Sequence, residues 1–329
     1  MKKNIALLAG GYTGEAVVSL NSALQIEAAL DYNLYEVYKI IVTPEDWYYL
    51  SQNGEKASID KNDFSVVIES KKIVFDVVFI IIHGSPGEDG KLQGYFDLLN
   101  IPYTTCDATT SALTMNKGYT KAVVSGINNL NVASSLQLFA NNETITQEIQ
   151  SQLKLPLFIK PNNGGSSIGM SKVNEWGQLS AALEKAFAED TQILVEEFIN
   201  GREFTVGIYK AKGEVVVLPV TEIKSSKEFF DYEAKYTKGV TEEITPANIS
   251  AEQTEKISEI VKNVFAKLNC KGVVRVDFII QDFTEDFYFI EINTVPGQSA
   301  ASIIPQQVKA AGITMKEFYS LLIEDALGG

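Results

Sequence analysis

Six consecutive apolar residues, VVFIII at positions 77–82, constrain this chain more than any other stretch of it. A strand turns successive side chains to opposite faces, so a run without a polar member leaves no face for water. A strand inside a parallel sheet needs such a run, because crossover helices cover both of its faces. The flanking segments agree. IALLAG (5–10) reads as a short strand entering Gly10-Gly11, residues 15–30 as a helix, and YEVYKIIV (35–42) as a second strand. Past the apolar run, His83-Gly84 opens a turn. A helix is expected through Leu92, Tyr95, Phe96 and Leu99, and Ile101-Pro102-Tyr103 starts another strand. This alternation predicts a doubly wound, parallel-sheet α/β domain over residues 1–105, with functional groups at the carboxyl ends of the strands. Gly10-Gly11 and His83-Gly84 both lie at such ends.

Two further units are expected. Residues 106–194 carry helical stretches near 111–126 and 174–188. Between them, LPLFIKPNNGGSSIGMSKV (155–173) reads as strand, Gly-rich loop, strand. Residues 195–329 have a more segregated α+β pattern. ILVEEFI (193–199), EFTVGIYK (203–210) and EVVVLPV (214–220) are strand-like. Ser250 and Gln253 form a capping box ahead of a helix marked by Ile257, Ile260, Val261, Val264, Phe265 and Leu268. Asn269 and Gly272 stop it. Residues 224–245 show no period and read as a long loop, the kind that often serves as a lid.

Net charge narrows the partners. With 42 acidic and 28 basic residues the chain carries −14, and no basic stripe is available to release counterions from a nucleic acid. A local lysine cluster with a metal can still bind a nucleotide in an acidic protein. Two cysteines, Cys106 and Cys270, make neither a disulfide framework nor a zinc spacing. The apolar run 5–9 is too short for a signal-peptide core, and no run reaches membrane-spanning length. A cytoplasmic enzyme is expected, with neither nucleic acid nor membrane as partner.

Several motifs carry chemistry. VVRVDFII (273–280) and FYFIEIN (287–293) read as a hairpin. Alternation puts Arg275 and Asp277 on one face of the first strand, and Glu291 and Asn293 on one face of the second, with Tyr288, Ile290 and Ile292 opposite. Such oxygen donors suit Mg²⁺, and an arginine beside them suits a phosphate or an oxyanion. A surface salt-bridge ladder would look the same. Lys160, followed by Asn162-Asn-Gly-Gly165-Ser-Ser167, offers a point charge, backbone N–H groups and hydroxyls to a phosphate; a plain hairpin turn is the other reading. No GxxxxGK[ST] or GxGxxG is present. Gly165-Ser-Ser167-Ile-Gly169 fits the GxSxG elbow of a serine hydrolase, but the single histidine, His83, lies upstream and the loop leads toward a strand. His83 is either structural or a site residue. Glu15 is either an amine anchor or an acid favoured by the helix dipole.

Together these pieces resemble the ATP-grasp superfamily. GGYTGEAVVSL (10–20), HGSPGEDG (83–90), MNKGYTK (115–121), IKPNNGGSSIGMSKV (159–173), EEFINGREFTV (196–206), FDYEAKY (230–236), RVDF (275–278) and EINTVPGQSAASIIP (291–305) are similar, in this order, to the D-alanine–D-alanine ligases. The resemblance covers essentially the whole chain. It implies that ATP phosphorylates one D-alanine and the amine of a second attacks the acyl phosphate, in the cytoplasm, for peptidoglycan synthesis. It implies Lys117, Lys160 and Ser167 on the ATP phosphates, with Glu196, Glu197 and Ile199 at adenine and Glu203 at ribose. Asp277, Glu291 and Asn293 resemble the ligands of two Mg²⁺ ions, for which Mn²⁺ can substitute. Arg275 and the Gly297 N–H would neutralise the oxyanion. Glu15 would anchor the first ammonium with His83 near the carboxylate, while Ser302 and Ile303 hold the second D-alanine. Lys235 and Tyr236 would sit on a closing lid, with Ser166, Tyr236 and Glu15 joined by hydrogen bonds. Tyr236, where D-lactate-forming relatives tend to carry Phe, implies the dipeptide. A homodimer is implied as well. The chain departs from the family pattern at Asn162-Asn163, Ala16-Val17 and Ala301, where charged residues or histidine are frequent.

Overall fold

The computed structural model describes residues 2–141, 144–165, 168–225 and 241–328. Three sheets organise them. In the first, Lys3–Gly10 lies between Tyr35–Val42 and Val77–Ile80, all parallel. The apolar run is buried on both faces, as its composition requires. Val77, Phe79 and Ile81 enter one core with Ala23 and Ile26 of helix Ala16–Ala29. Val78, Ile80 and Ile82 enter another with Leu92 and Phe96 of helix Lys91–Leu99. Each such side chain contributes about 1.5–3 kcal/mol by leaving water.

Beyond Tyr35–Val42 the sheet is not parallel. Trp47–Leu50, Lys56–Asp60, Ser65–Ile68 and Lys71–Ile73 extend it as an antiparallel meander. These strands are short and half exposed, so their apolar stretches, at most the four residues of Trp47–Leu50, are too brief to mark a sheet. The turn between the last two is Glu69-Ser70, with φ of 49° and 65°. Both residues are left-handed, as a two-residue hairpin turn requires, yet neither is the Asn or Gly that usually announces one.

The second sheet is antiparallel, in the order Ser171–Val173, Leu157–Pro161, Ile193–Glu197, Ser135–Leu138. Helices Ile145–Gln152 and Leu179–Phe187 pack on it. The third sheet runs Thr241–Ile244, Thr221–Ser225, Gly201–Ala211, Val273–Gln281, Phe287–Asn293, Asn131–Val132, with Glu214–Val217 paired to Gly201–Ala211. Helix Ala251–Lys267 covers it, and its capping box forms: Ser250 Oγ accepts from Gln253 N–H at 3.1 Å and Gln253 Oε1 from Ser250 N–H at 3.2 Å. The helical stretch expected at 111–126 is two helices, Ala108–Met115 and Lys117–Val124. Asn116, extended at ψ 104°, breaks them and caps the second through Tyr119 N–H.

Packing ties the sheets together. Cys106, Val124 and Leu130 join the core under the third sheet. The last helix, Met315–Ala326, lies between the first and third sheets, where Tyr319 meets Phe79 at 5.7 Å and Phe318 meets Tyr209 at 5.1 Å between ring centroids.

Candidate active site

Strands of the second and third sheets line one cavity of about 220 Å³. On Val273–Gln281, Arg275, Asp277 and Ile279 line it, while Val274, Val276, Phe278 and Ile280 enter the core, as alternation dictates. The partner strand breaks the rule. Asp277 pairs with Glu291 but Phe278 with Phe289, so Ile290 is an extra residue in a β-bulge. Tyr288 and Ile290 therefore line the cavity with Glu291, while Phe287, Phe289 and Ile292 fill the core. Strict alternation puts Tyr288 and Ile290 on the side of Ile292; the bulge corrects that expectation.

The hairpin is not a surface ladder, since Asp277 is only 7% exposed. Arg275 donates to both its oxygens, from Nε at 2.9 Å and Nη2 at 2.8 Å. Asn293 Nδ2 donates to it at 3.1 Å, and the Thr205 hydroxyl donates as well. Lys117 Nζ lies 3.3 Å from Glu291 and donates to the Gly164 carbonyl. Burial works against the Arg275 charge, but Asp277 and Glu291 outweigh it and raise its pKa further.

Across the cavity Glu196 sits between two ammonium groups. Lys160 Nζ is 2.6 Å from Oε1, and Lys121 pairs with Oε2. Burial pushes the Glu196 carboxyl up, yet the two lysines prevail and hold it at about 2. The same burial lowers Lys121 against the pull of Glu196. The sequence reading missed Lys121, although it lies one helical turn from Lys117 and so on the same face. It also missed Thr205, whose partner Asp277 is distant in sequence.

Of the expected residues, Lys117, Lys160, Glu196, Glu197, Ile199, Glu203, Arg275, Asp277, Glu291 and Ile303 line the cavity. Asn293 reaches it through Asp277. Ser302 stands at the start of helix Ile303–Ala310 without a side-chain cap bond, and a Cβ on Gly297 would lie 2.8 Å from its Oγ, so these two and Ile303 are together. Glu15 begins helix Ala16–Ala29 but makes no side-chain cap bond to it. A Cβ on Gly84 would lie 2.9 Å from Glu15 Oε2, and one on Gly165 3.0 Å from Oε1. The carboxylate thus sits between the turn after the apolar strand and the phosphate loop. His83 is buried at that turn, with Nδ1 2.7 Å from the Val295 carbonyl and Nε2 3.4 Å from Ser22 Oγ. A carbonyl only accepts, so Nδ1 carries the proton. Burial lowers the pKa of this histidine, against the Val295 bond, and keeps it neutral. Ser166, Ser167, Lys235 and Tyr236 lie outside the described residues. The GxSxG segment leads into strand Ser171–Val173, not into the helix a hydrolase elbow needs.

Among the described residues, no three His, Cys, Asp or Glu side chains are grouped to cage a metal. Two carboxylates and an amide do fit Mg²⁺, which completes its shell with water and phosphate oxygens.

Known proteins resemble this chain in sequence and in fold. A family model described as the D-ala D-ala ligase N-terminus matches residues 4–106, and one described as the D-ala D-ala ligase C-terminus matches residues 126–324. The chain belongs to the D-alanine–D-alanine ligase family. A D-alanine–D-alanine ligase of Parabacteroides distasonis is 46% identical over 328 residues, covering 99% of this chain and 98% of that protein. One of Azobacteroides pseudotrichonymphae is 43% identical, covering 98% and 99%. Among solved structures, the VanG D-Ala:D-Ser ligase of Enterococcus faecalis superposes with a TM-score of 0.88 at 34% identity, covering 99% of this chain and 100% of that one. A D-alanine–D-alanine ligase of Bacillus anthracis complexed with ATP gives 0.78 at 29%, covering 100% and 98%. Between the two matched stretches of this ligase-family chain lies helix Lys117–Val124, which carries both Lys117 and Lys121.

Proposed function

We propose that this protein joins two D-alanines to D-alanyl-D-alanine at the expense of ATP. The observation that carries the reading is the single cavity whose walls hold Asp277 and Glu291 under Arg275 and Lys117 on one side and Glu196 under Lys160 on the other. A free carboxylate resists attack by an amine because it is already negative. Transfer of the γ-phosphoryl group to its oxygen, with loss of ADP, makes phosphate the leaving group. The amine nitrogen of the second D-alanine, having given up a proton, then bonds to the acyl carbon. Catalysis of both steps is mostly positioning and charge neutralisation.

Lys117 and Lys160, with Ser167, hold the phosphates. Glu196, Glu197 and Ile199 hold adenine and Glu203 the ribose. Asp277, Glu291 and Asn293 hold two Mg²⁺ ions or Mn²⁺. Bound metal supplies neutralisation of phosphate charge. The pairing in this structure supports these roles: Arg275 and Lys117 rest on the carboxylates that would hold the metal, beside the space that phosphate and acyl oxygens would take. Arg275 and the Gly297 N–H receive the oxyanion, Glu15 the first ammonium, and Ser302 with Ile303 the second D-alanine. Lys235, Tyr236 and Ser166 close the site.

The protein works in the cytoplasm on peptidoglycan precursors, as a homodimer. Exposed Val17, Leu20 and Leu24, at helical spacing on Ala16–Ala29, support a partner on that face. Purified protein is expected to release phosphate from ATP only with D-alanine and Mg²⁺ present. Ester cleavage without ATP would overturn the reading in favour of a hydrolase.

A further inference from the structure

Val295 is tied at both its polar backbone atoms to the turn that follows the apolar strand. Its carbonyl accepts from His83 Nδ1 at 2.7 Å, and its N–H donates to Glu88 Oε1 at 3.1 Å. The other Glu88 oxygen accepts from Gly84 N–H at 2.8 Å. A second tie lies three residues on: Gln298 N–H donates to Ser22 Oγ at 3.1 Å, and that oxygen is 3.4 Å from His83 Nε2. Positions 295 and 298 flank Gly297, so the backbone around the oxyanion donor is fastened from both sides. Gly84 in turn packs against Glu15.

We propose that Glu88 is a positioning residue for the ligation: by holding the N–H groups of Gly84 and Val295 at once, its carboxylate sets the separation between the first-substrate anchor, Glu15, and the oxyanion donor, Gly297. The proposal rests on the reaction assigned above. Only an ionised carboxylate offers acceptors alone on both oxygens; a proton would place a donor in the clamp. The titratable groups facing Glu88 are Glu15, Arg275 and His83. Removal from water and the Glu15 charge push the Glu88 carboxyl up to about 7, against the Gly84 and Val295 N–H groups and Arg275. Burial lowers the His83 pKa, away from that pH, so His83 does not supply the acid limb expected of Glu88.

The test compares wild-type protein with Glu88→Gln and Glu88→Ala in ATP, Mg²⁺ and D-alanine, alongside ADP affinity by calorimetry. Glu88→Ala is expected to lose on the order of 100-fold in kcat, the scale of a one-ångström misplacement, with ADP affinity retained. Wild-type kcat should fall as pH drops through about 7, and Glu88→Gln should lack that limb. Wild-type kcat in both variants, or an unchanged acid limb in Glu88→Gln, overturns the proposal. So does loss of ADP binding in both variants, since Glu88 would then merely hold the fold. Wild-type protein with no D-alanine-dependent turnover sinks the reaction reading itself, a result distinct from any of these.

Discussion

Asp277 satisfies four hydrogen-bond donors from three residues while nearly out of water. Asp277→Ala or Glu291→Ala is therefore expected to abolish turnover in a steady-state assay while the protein stays folded by circular dichroism; undiminished turnover in either breaks the metal assignment. Glu196 has a different task, because it neutralises two buried lysines. Glu196→Ala leaves them without a partner and should cost about 3–5 kcal/mol in urea unfolding. Its carboxyl is held at about 2 in the fold against an ordinary 4.5, so its stabilisation is full above 4.5 and fades as pH falls toward 2. The gap between wild type and variant should shrink across that window, and a constant gap would contradict the ion-pair account. At this scale the sequence revealed residues on recognisable strands and turns, such as Arg275, Asp277, Lys160 and Glu15. It concealed Lys121, Thr205 and Glu88, whose roles depend on partners brought near only by the fold.

Alternation and capping made most elements legible: the apolar strand 77–82, the Ser250 capping box, and the hairpin that carries the carboxylates. Two features escaped. The meander from Trp47 to Ile73 has only apolar stretches of three or four residues, such as Trp47–Leu50, and its last turn is Glu69-Ser70, without a glycine. The bulge at Ile290 adds one residue to a strand whose composition looks regular. It sets two consecutive residues, Ile290 and Glu291, on the cavity wall. Deleting Ile290 would restore strict alternation without moving Tyr288 or Phe289, which already pair with Ile279 and Phe278, and would remove one apolar side chain from the cavity wall. ADP affinity measured by calorimetry should drop at least about tenfold, the equivalent of about 1.4 kcal/mol. Unchanged affinity would mean that the bulge does not shape the nucleotide wall.

On the scale of the molecule, the three sheets are not independent blocks. Helix Met315–Ala326 packs under the first sheet from the far end of the chain, and residues 106–130 share the core of the third. No local period announces either contact, because both are long-range packing of ordinary amphipathic segments. The exposed stripe of Val17, Leu20 and Leu24 gives the proposed dimer its test. Leu20→Glu with Leu24→Glu should halve the mass seen by light scattering, and an unchanged mass would place the partner elsewhere. The central claim concerns what the cavity makes. Chromatographic quantification of products from ATP, Mg²⁺ and D-alanine tests it most directly. The account predicts D-alanyl-D-alanine and ADP in equal amounts, with neither formed when D-alanine is omitted. ADP accumulating without dipeptide, or dipeptide forming without ATP, would contradict it.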